Sequence, residues 1–198
     1  MTIDPARDAL LVVDLQNDFC PDGALGVTDG HAIVPIVNRY LDRFVSAGAS
    51  VFLSRDWHPP VTRHFQAYGG VWPPHCVQGT RGAEFHPDLR VPAGAVVVSK
   101  GMDPDQDAYS AFQAEDSSGR PFAAILADRG IRRLYLAGLA TDYCVRASVL
   151  DAVRGGLEVL VLADAIGAVD REPGDGARAI DEVVGAGARL TTSKDIGI

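Results

Sequence analysis

Six short apolar runs, separated by segments with the period of a helix, constrain this chain more than any other feature. The runs are Ala9–Val13, Val51–Leu53, Ala95–Val98, Leu134–Ala137, Val159–Ala163 and Arg189–Thr192. The clearest of them are apolar at every position. A strand with one wet face alternates, whereas a strand covered on both faces does not, and parallel sheets are covered on both. Between the runs, Val34, Val37, Leu41, Phe44 and Val45 share one helical face, with Asp29 as the expected cap and Gly48 as the stop. Val145, Val149, Ala152 and Val153 form a second stripe ending near Gly155–Gly156. Ile180, Val183, Val184 and Gly187 form a third, entered through Pro173, and Phe122, Ile125 and Leu126 a fourth between Pro121 and Gly130. Strand alternating with helix predicts right-handed crossovers and a doubly wound, three-layer α/β/α architecture. Its mostly parallel sheet would have about six strands.

The chain has 198 residues, which suits one domain over 1–198. A domain of that size buries ~70% of its unfolded surface and needs no disulfide. Cys20, Cys76 and Cys144 are odd in number and contain no C-x-x-C pair, a usage that fits a reducing compartment. The formal charge of −8, with no basic arm or basic helix face, argues against nucleic acid or anionic membrane as partner and leaves a small molecule. A homo-oligomer is compatible with all of this. No apolar run approaches the ~20 residues of a membrane span. The first residues lack the basic stretch and long apolar core of a signal peptide. The expectation is a cytoplasmic protein.

Residues 54–94 break the pattern. They are rich in Pro and Gly, show no period, and hold both tryptophans and four of the five histidines. A loop region that long inside a compact domain is usually functional. In open parallel sheets, sites form beyond the carboxyl ends of the strands. Asp14, Lys100 and Cys144 all fall at such ends. Cys144, at the start of a helical stripe, would feel the positive end of the helix dipole, and a nearby Lys100 ammonium would further favour its thiolate. The first-turn amides would face the same cleft, ready for an oxyanion. Asp14 could take the thiol proton and return it to a leaving amine. Each residue alone is more often ordinary packing; their joint placement is the signal.

The segments DLQNDF (Asp14–Phe19), SRDWHPP (Ser54–Pro60), WPPHCVQGTRGAEFHP (Trp72–Pro87), KGMDPDQDAYSAF (Lys100–Phe112) and GLATDYCVRAS (Gly138–Ser148) stand in order along the chain. Together they resemble the nicotinamidase/pyrazinamidase branch of the isochorismatase-like hydrolases. The resemblance implies catalytic roles for Asp14, Lys100 and Cys144, with Cys144 forming a thioester from a carboxamide. It implies an oxyanion hole from the backbone amides of Ala140 and Cys144, beside a cis Leu139–Ala140 peptide. Deamidation of nicotinamide, and of pyrazinamide, is the implied reaction, in NAD salvage.

It also implies one divalent metal ion on Asp56, His58 and His75. Imidazole and carboxylate donors suit Zn²⁺ first, with Fe²⁺ or Mn²⁺ as alternatives. His64 matches a position that some members fill with a fourth ligand and others leave to Ser or water; a solvated loop histidine is the competing reading. Phe19, Trp72 and Tyr109 match positions that border the pyridine ring. Cys76 reads as a small buried hydrophobe beside His75, and His31 and His86 as capping or solvent-facing residues. Three rivals share the fold: a metal-independent amidase or ureidase, a vinyl-ether hydrolase lacking the nucleophilic cysteine, and a silent binding module. Residues Met102–Ala108 read as an acidic insertion near the cleft.

Overall fold

The computed structural model describes residues 1–197, leaving only the last position of the expected domain outside. Its strands are β1 (Asp8–Val13), β2 (Ser50–Asp56), β3 (Val96–Lys100), β4 (Arg133–Leu139), β5 (Glu158–Gly167) and β6 (Arg189–Thr191). They form one sheet in the order β3-β2-β1-β4-β5-β6, with every neighbouring pair parallel. The helices are α1 (Val34–Ser46), α2 (Phe122–Asp128), α3 (Arg146–Arg154), α4 (Asp175–Gly185) and the single turn α5 (Ser193–Ile196). The doubly wound reading of the sequence is therefore the observed one.

Side-chain alternation along β1 splits the core in two. Leu10 and Val12 pack with Val37, Tyr40, Leu41 and Phe44 of α1 on one face of the sheet. Ala9, Leu11 and Val13 pack with Phe122 and Ile125 of α2, Val149 and Ala152 of α3, and Val183 of α4 on the other. Every residue of β1 is buried, which is why the run carries no polar alternation.

Several boundaries differ from the sequence reading. Asp29 caps no helix through its side chain; it sits in a left-handed conformation before a 3₁₀ turn, Gly30–Ile33, that leads into α1. Val45 and Val184 are about half exposed, at the solvent edge of stripes whose inner members they were grouped with. β5 runs four residues past Ala163, and Lys100 belongs to β3 rather than following it. Among the described residues, no helix is long and apolar enough to cross a membrane.

The strand order reverses between β1 and β4, and there the two backbones approach closely. Gly138 of β4 lies opposite Val13 with φ at +116°, and a methyl group built on it would meet the Val13 backbone. The β4–β5 register also shifts across Leu136–Gly138. Gly138→Ala is therefore expected to lose about 3 kcal/mol of stability, from a disallowed φ plus a backbone clash. A urea midpoint within error of wild type would contradict this account.

Candidate active site

Four consecutive strand ends meet at the reversal. Lys100 ends β3, Asp56 ends β2 in register with it, Asp14 follows β1, and Ala140 follows β4. Parallel strands deliver all their carboxyl ends to one edge, so residues distant in sequence become neighbours.

The Lys100 ammonium organises the floor. It lies 2.9 Å from Asp14 Oδ2, hydrogen-bonds Asp56 Oδ1, reaches the Ala108 carbonyl at 3.3 Å and stands 3.5 Å from Cys144 Sγ. The Asp14 contact is an ion pair rather than a well-directed hydrogen bond, since Oδ2 is otherwise without a partner. Asp14 Oδ1 accepts a bond from Ser54 Oγ at 2.7 Å, and its backbone is held at φ +44°. Apart from the half-buried Ala108, all of these residues are buried.

Such burial decides the charge states. It would neutralise Lys100, but the carboxylates of Asp14 and Asp56 outweigh it and hold the ammonium well above its ordinary pKa. Burial raises Asp14 above the usual carboxylate range despite Lys100. It would raise Asp56 too, yet Lys100, His58 and His75 hold that carboxyl well below the range. For Cys144 the outcome reverses the sequence expectation. Burial, reinforced by Asp14 and Asp56, pushes the thiol well above its ordinary value, and Lys100 does not compensate. Cys144 is therefore held as a thiol, and an attack by its sulfur would need a proton acceptor. Asp14, with its raised pKa, is suited to that task.

Cys144 also sits differently from a plain helix start. A turn of π-helix, Thr141–Val145, precedes α3, with the Val145 amide bonded back to the Ala140 carbonyl at 3.1 Å. The Leu139–Ala140 peptide is cis. Ala140, Tyr143 and Cys144 together line a cavity of about 290 Å³.

His64 and His75 line another part of the cavity, and the His58 ring packs against both. Ligand atoms of His58, His64 and His75 lie within 4.8 Å of one another, and Asp56 Oδ2 is 3.7 Å from His58 Nε2 and 3.9 Å from His75 Nε2. Each ring has its Nδ1 engaged: His58 with the Gly101 carbonyl at 3.0 Å, His75 with the Pro73 carbonyl at 2.8 Å, and His64 with Asp107 Oδ1 at 2.5 Å. That leaves the Nε2 lone pairs for the centre of the cluster. Nε2 of His58 is buried with no partner at all, which is costly unless something else binds it. Burial also pushes His75 down to about 4 and lowers His64, keeping both neutral, as ligands must be. The donor set thus fits a divalent transition-metal ion. Gly101 must be glycine here: its φ is +70° and a side chain would strike the His58 ring.

Asp14, Asp56 and Cys144 also converge closely enough to suggest a second cation site. The Lys100 ammonium already touches all three, so that cluster holds its cation covalently.

Phe19, Trp72 and Tyr109 all line the cavity. Trp72 Nε1 donates to Tyr109 Oη at 2.9 Å and the indole packs edge-on against Tyr143 at 5.2 Å. Phe19 lies 5.7 Å from the His75 ring. Leu25 and Val169 close the far side. Cys76 is fully buried, His31 is exposed and His86 accepts a bond from the Asp88 amide.

Several contributors were not visible in the sequence. Ser54 bonds Asp14 from within an apolar strand. Gln16 knits its amide to both backbone groups of Asp56 and to the Ala83 carbonyl. Asp142 accepts from the Val169 and Asp170 amides, both at 2.9 Å, fastening a cavity wall to the nucleophile turn. Asp107 comes from the acidic segment Met102–Ala108 and Tyr143 stands beside Cys144, yet neither residue was singled out within its segment.

The sequence profile of the isochorismatase domain matches residues 8–195. The chain is 42% identical to a nicotinamidase of Escherichia coli over 205 positions, covering 94% of this chain and 95% of that one. It is also 42% identical to a nicotinamidase/pyrazinamidase of Mycobacterium tuberculosis, over 79% of this chain and 84% of the other. Among solved structures, pyrazinamidase of Pyrococcus horikoshii in complex with zinc superposes with a TM-score of 0.87 at 43% identity, over 94% of this chain and 99% of that one. With the profile matched across nearly every residue and relatives this similar, the chain belongs to the isochorismatase family.

Proposed function

We propose that the chain is a nicotinamidase: an amidohydrolase that converts nicotinamide, and pyrazinamide, to the carboxylic acid and ammonia. The observation that carries this reading is one cavity lined by Cys144, His64 and His75, with Lys100 and Asp14 buried directly behind the thiol and His58 packed against the two lining histidines. An amide resists water because its nitrogen leaves poorly and its carbonyl is weakly electrophilic. A covalent route with acid assistance addresses both difficulties.

In this reading Asp14 takes the Cys144 proton as the sulfur attacks the carboxamide carbon. The backbone amides of Ala140 and Cys144 receive the oxyanion. Asp14 returns the proton to the departing amine, the C–N bond breaks, and ammonia leaves a thioester on Cys144. Asp14 then draws a proton from water, which attacks the thioester and regenerates the thiol with release of the acid. Lys100 keeps the carboxylate charge balanced through both halves. Phe19, Trp72, Tyr109 and Tyr143 sandwich the flat ring and exclude water from it. Asp56, His58, His64 and His75 would hold a divalent ion, zinc by preference, that supplies a Lewis-acid anchor for the ring nitrogen. Such an anchor would add to the orientation that the aromatic side chains give the ring, with its carboxamide toward Cys144.

The family relatives named nicotinamidase, and the zinc in the Pyrococcus horikoshii complex, support the substrate and the metal respectively. The cysteine counts against a vinyl-ether hydrolase, and the imidazole wall has no use in a metal-independent amidase. A cytoplasmic site of action, in salvage of the pyridine ring, fits the acidic chain with three free cysteines.

The deciding measurement is ammonia release from nicotinamide by metal-replete protein. No release would sink the proposal. Chelation is expected to cut the rate at least about 100-fold, with zinc restoring it, because positioning of the ring is lost. Full activity after thorough stripping would transfer the chain to the metal-independent amidases.

A further inference from the structure

The three clustered histidines are held in different ways. His58 and His75 direct Nδ1 to main-chain carbonyls of Gly101 and Pro73. His64 alone is held by a side chain, the Asp107 carboxylate, and the contrast in exposure is wide: 4% for His64 against 60% for Asp107. Asp107 belongs to the acidic segment Met102–Ala108. That segment is tied to the His64 loop by bonds to the Pro104 carbonyl from Thr62 Oγ1, at 3.1 Å, and from the Arg63 amide, at 2.8 Å. The next residue, Ala108, offers its carbonyl to Lys100 Nζ. Two adjacent residues of one loop thus reach the two halves of the site.

We propose that Asp107 is a positioning residue that fixes the ring orientation and tautomer of His64, and so sets how tightly the centre holds its divalent ion. The inference rests on the metal-binding reading of Asp56, His58, His64 and His75. An imidazole that donates Nδ1–H to a carboxylate must present Nε2 as a lone pair, and the anion makes that lone pair a stronger donor. Main-chain carbonyls do this for the other two rings and no side-chain substitution removes them. For His64 the function resides in one exposed, replaceable carboxylate.

The test is Zn²⁺ affinity of the full chain, measured by competition with a chromophoric chelator. Wild type, Asp107→Ala, Asp107→Asn, His64→Ala and the Asp107→Ala/His64→Ala double variant are compared. Asp107→Ala is expected to weaken binding about 10- to 100-fold, with Asp107→Asn between it and wild type. The double variant should bind no more weakly than His64→Ala alone, because Asp107 acts only through that ring. Nitrogen shifts of His64 in the metal-free protein give a second readout: one tautomer in wild type, a mixture in Asp107→Ala. If His64→Ala weakens binding while Asp107→Ala leaves it unchanged, Asp107 has no such role. If neither substitution changes affinity, His64 is no ligand, and the inference falls with that part of the metal reading.

Discussion

Cys144→Ala should abolish turnover, lowering ammonia release by about 10⁴-fold or more while the fold survives. Among the described residues lining the cavity, Cys144 carries the only thiol: 3.5 Å from Lys100 Nζ and buried. Alanine keeps the backbone amide of the oxyanion site and removes only the attacking atom. The site's charge pattern adds a sharper expectation. Because burial and two carboxylates keep the Cys144 thiol protonated at rest, attack requires Asp14 to accept the proton. Asp14→Asn should then cost nearly as much as Cys144→Ala, and the double variant little more than either, since groups acting as a unit do not add. A mass increase matching the acyl group should be trapped on wild type and absent from Cys144→Ala. Retained turnover in Cys144→Ala would dispose of the covalent route even with nicotinamide as the substrate.

Lys100→Met carries the largest expected effect on stability, a loss of about 3–5 kcal/mol. That is a large part of the roughly 5–15 kcal/mol that keeps a domain folded. Lys100 is fully buried and is the cation between Asp14 and Asp56. Methionine fills much of the same space but leaves two buried carboxylates facing each other. The sign with pH follows from that. With the ammonium gone, ionised Asp14 is the unfavourable form in the fold, so its folded pKa rises further above the unfolded value. The deficit relative to wild type should therefore be widest at neutral pH and narrow as acid protonates the pair. Urea midpoints of both proteins, taken metal-free between neutral pH and the upper carboxylate range, measure it. A deficit that is absent, or that grows on acidification, would mean the ion pairs contribute little.

The sequence and the structure agree wherever a side chain's role follows from its own neighbours in the chain. The apolar runs gave the strands because the central ones, β1, β2 and β4, are buried on both faces; the edge strand β6 is exposed at Arg189 and Leu190. Asp14, Lys100 and Cys144 were read at the ends of strands, and the strand order brings them together. The helical stripes were less exact at their edges: Val45 and Val184 are apolar yet face outward, which periodicity alone does not distinguish from an inner position. The environment of Cys144 was misjudged for a different reason. A helix dipole and a cation are local and can be read in sequence, whereas the burial that overrides them is a property of the whole packed site. Ser54, Gln16, Asp107 and Asp142 stayed hidden because their partners lie on other segments, and their residue types are equally at home in solvent.

The meeting of strand ends at the sheet's reversal has one more consequence. The acid and the ammonium come from the first hundred residues, the nucleophile from the stretch beyond β4, and β1 pairs with both β2 and β4. A nascent or nicked chain in which only one side has formed holds either an acid without a thiol or a thiol without an acid. The combination of acid, ammonium and thiol therefore exists only once the two halves have joined.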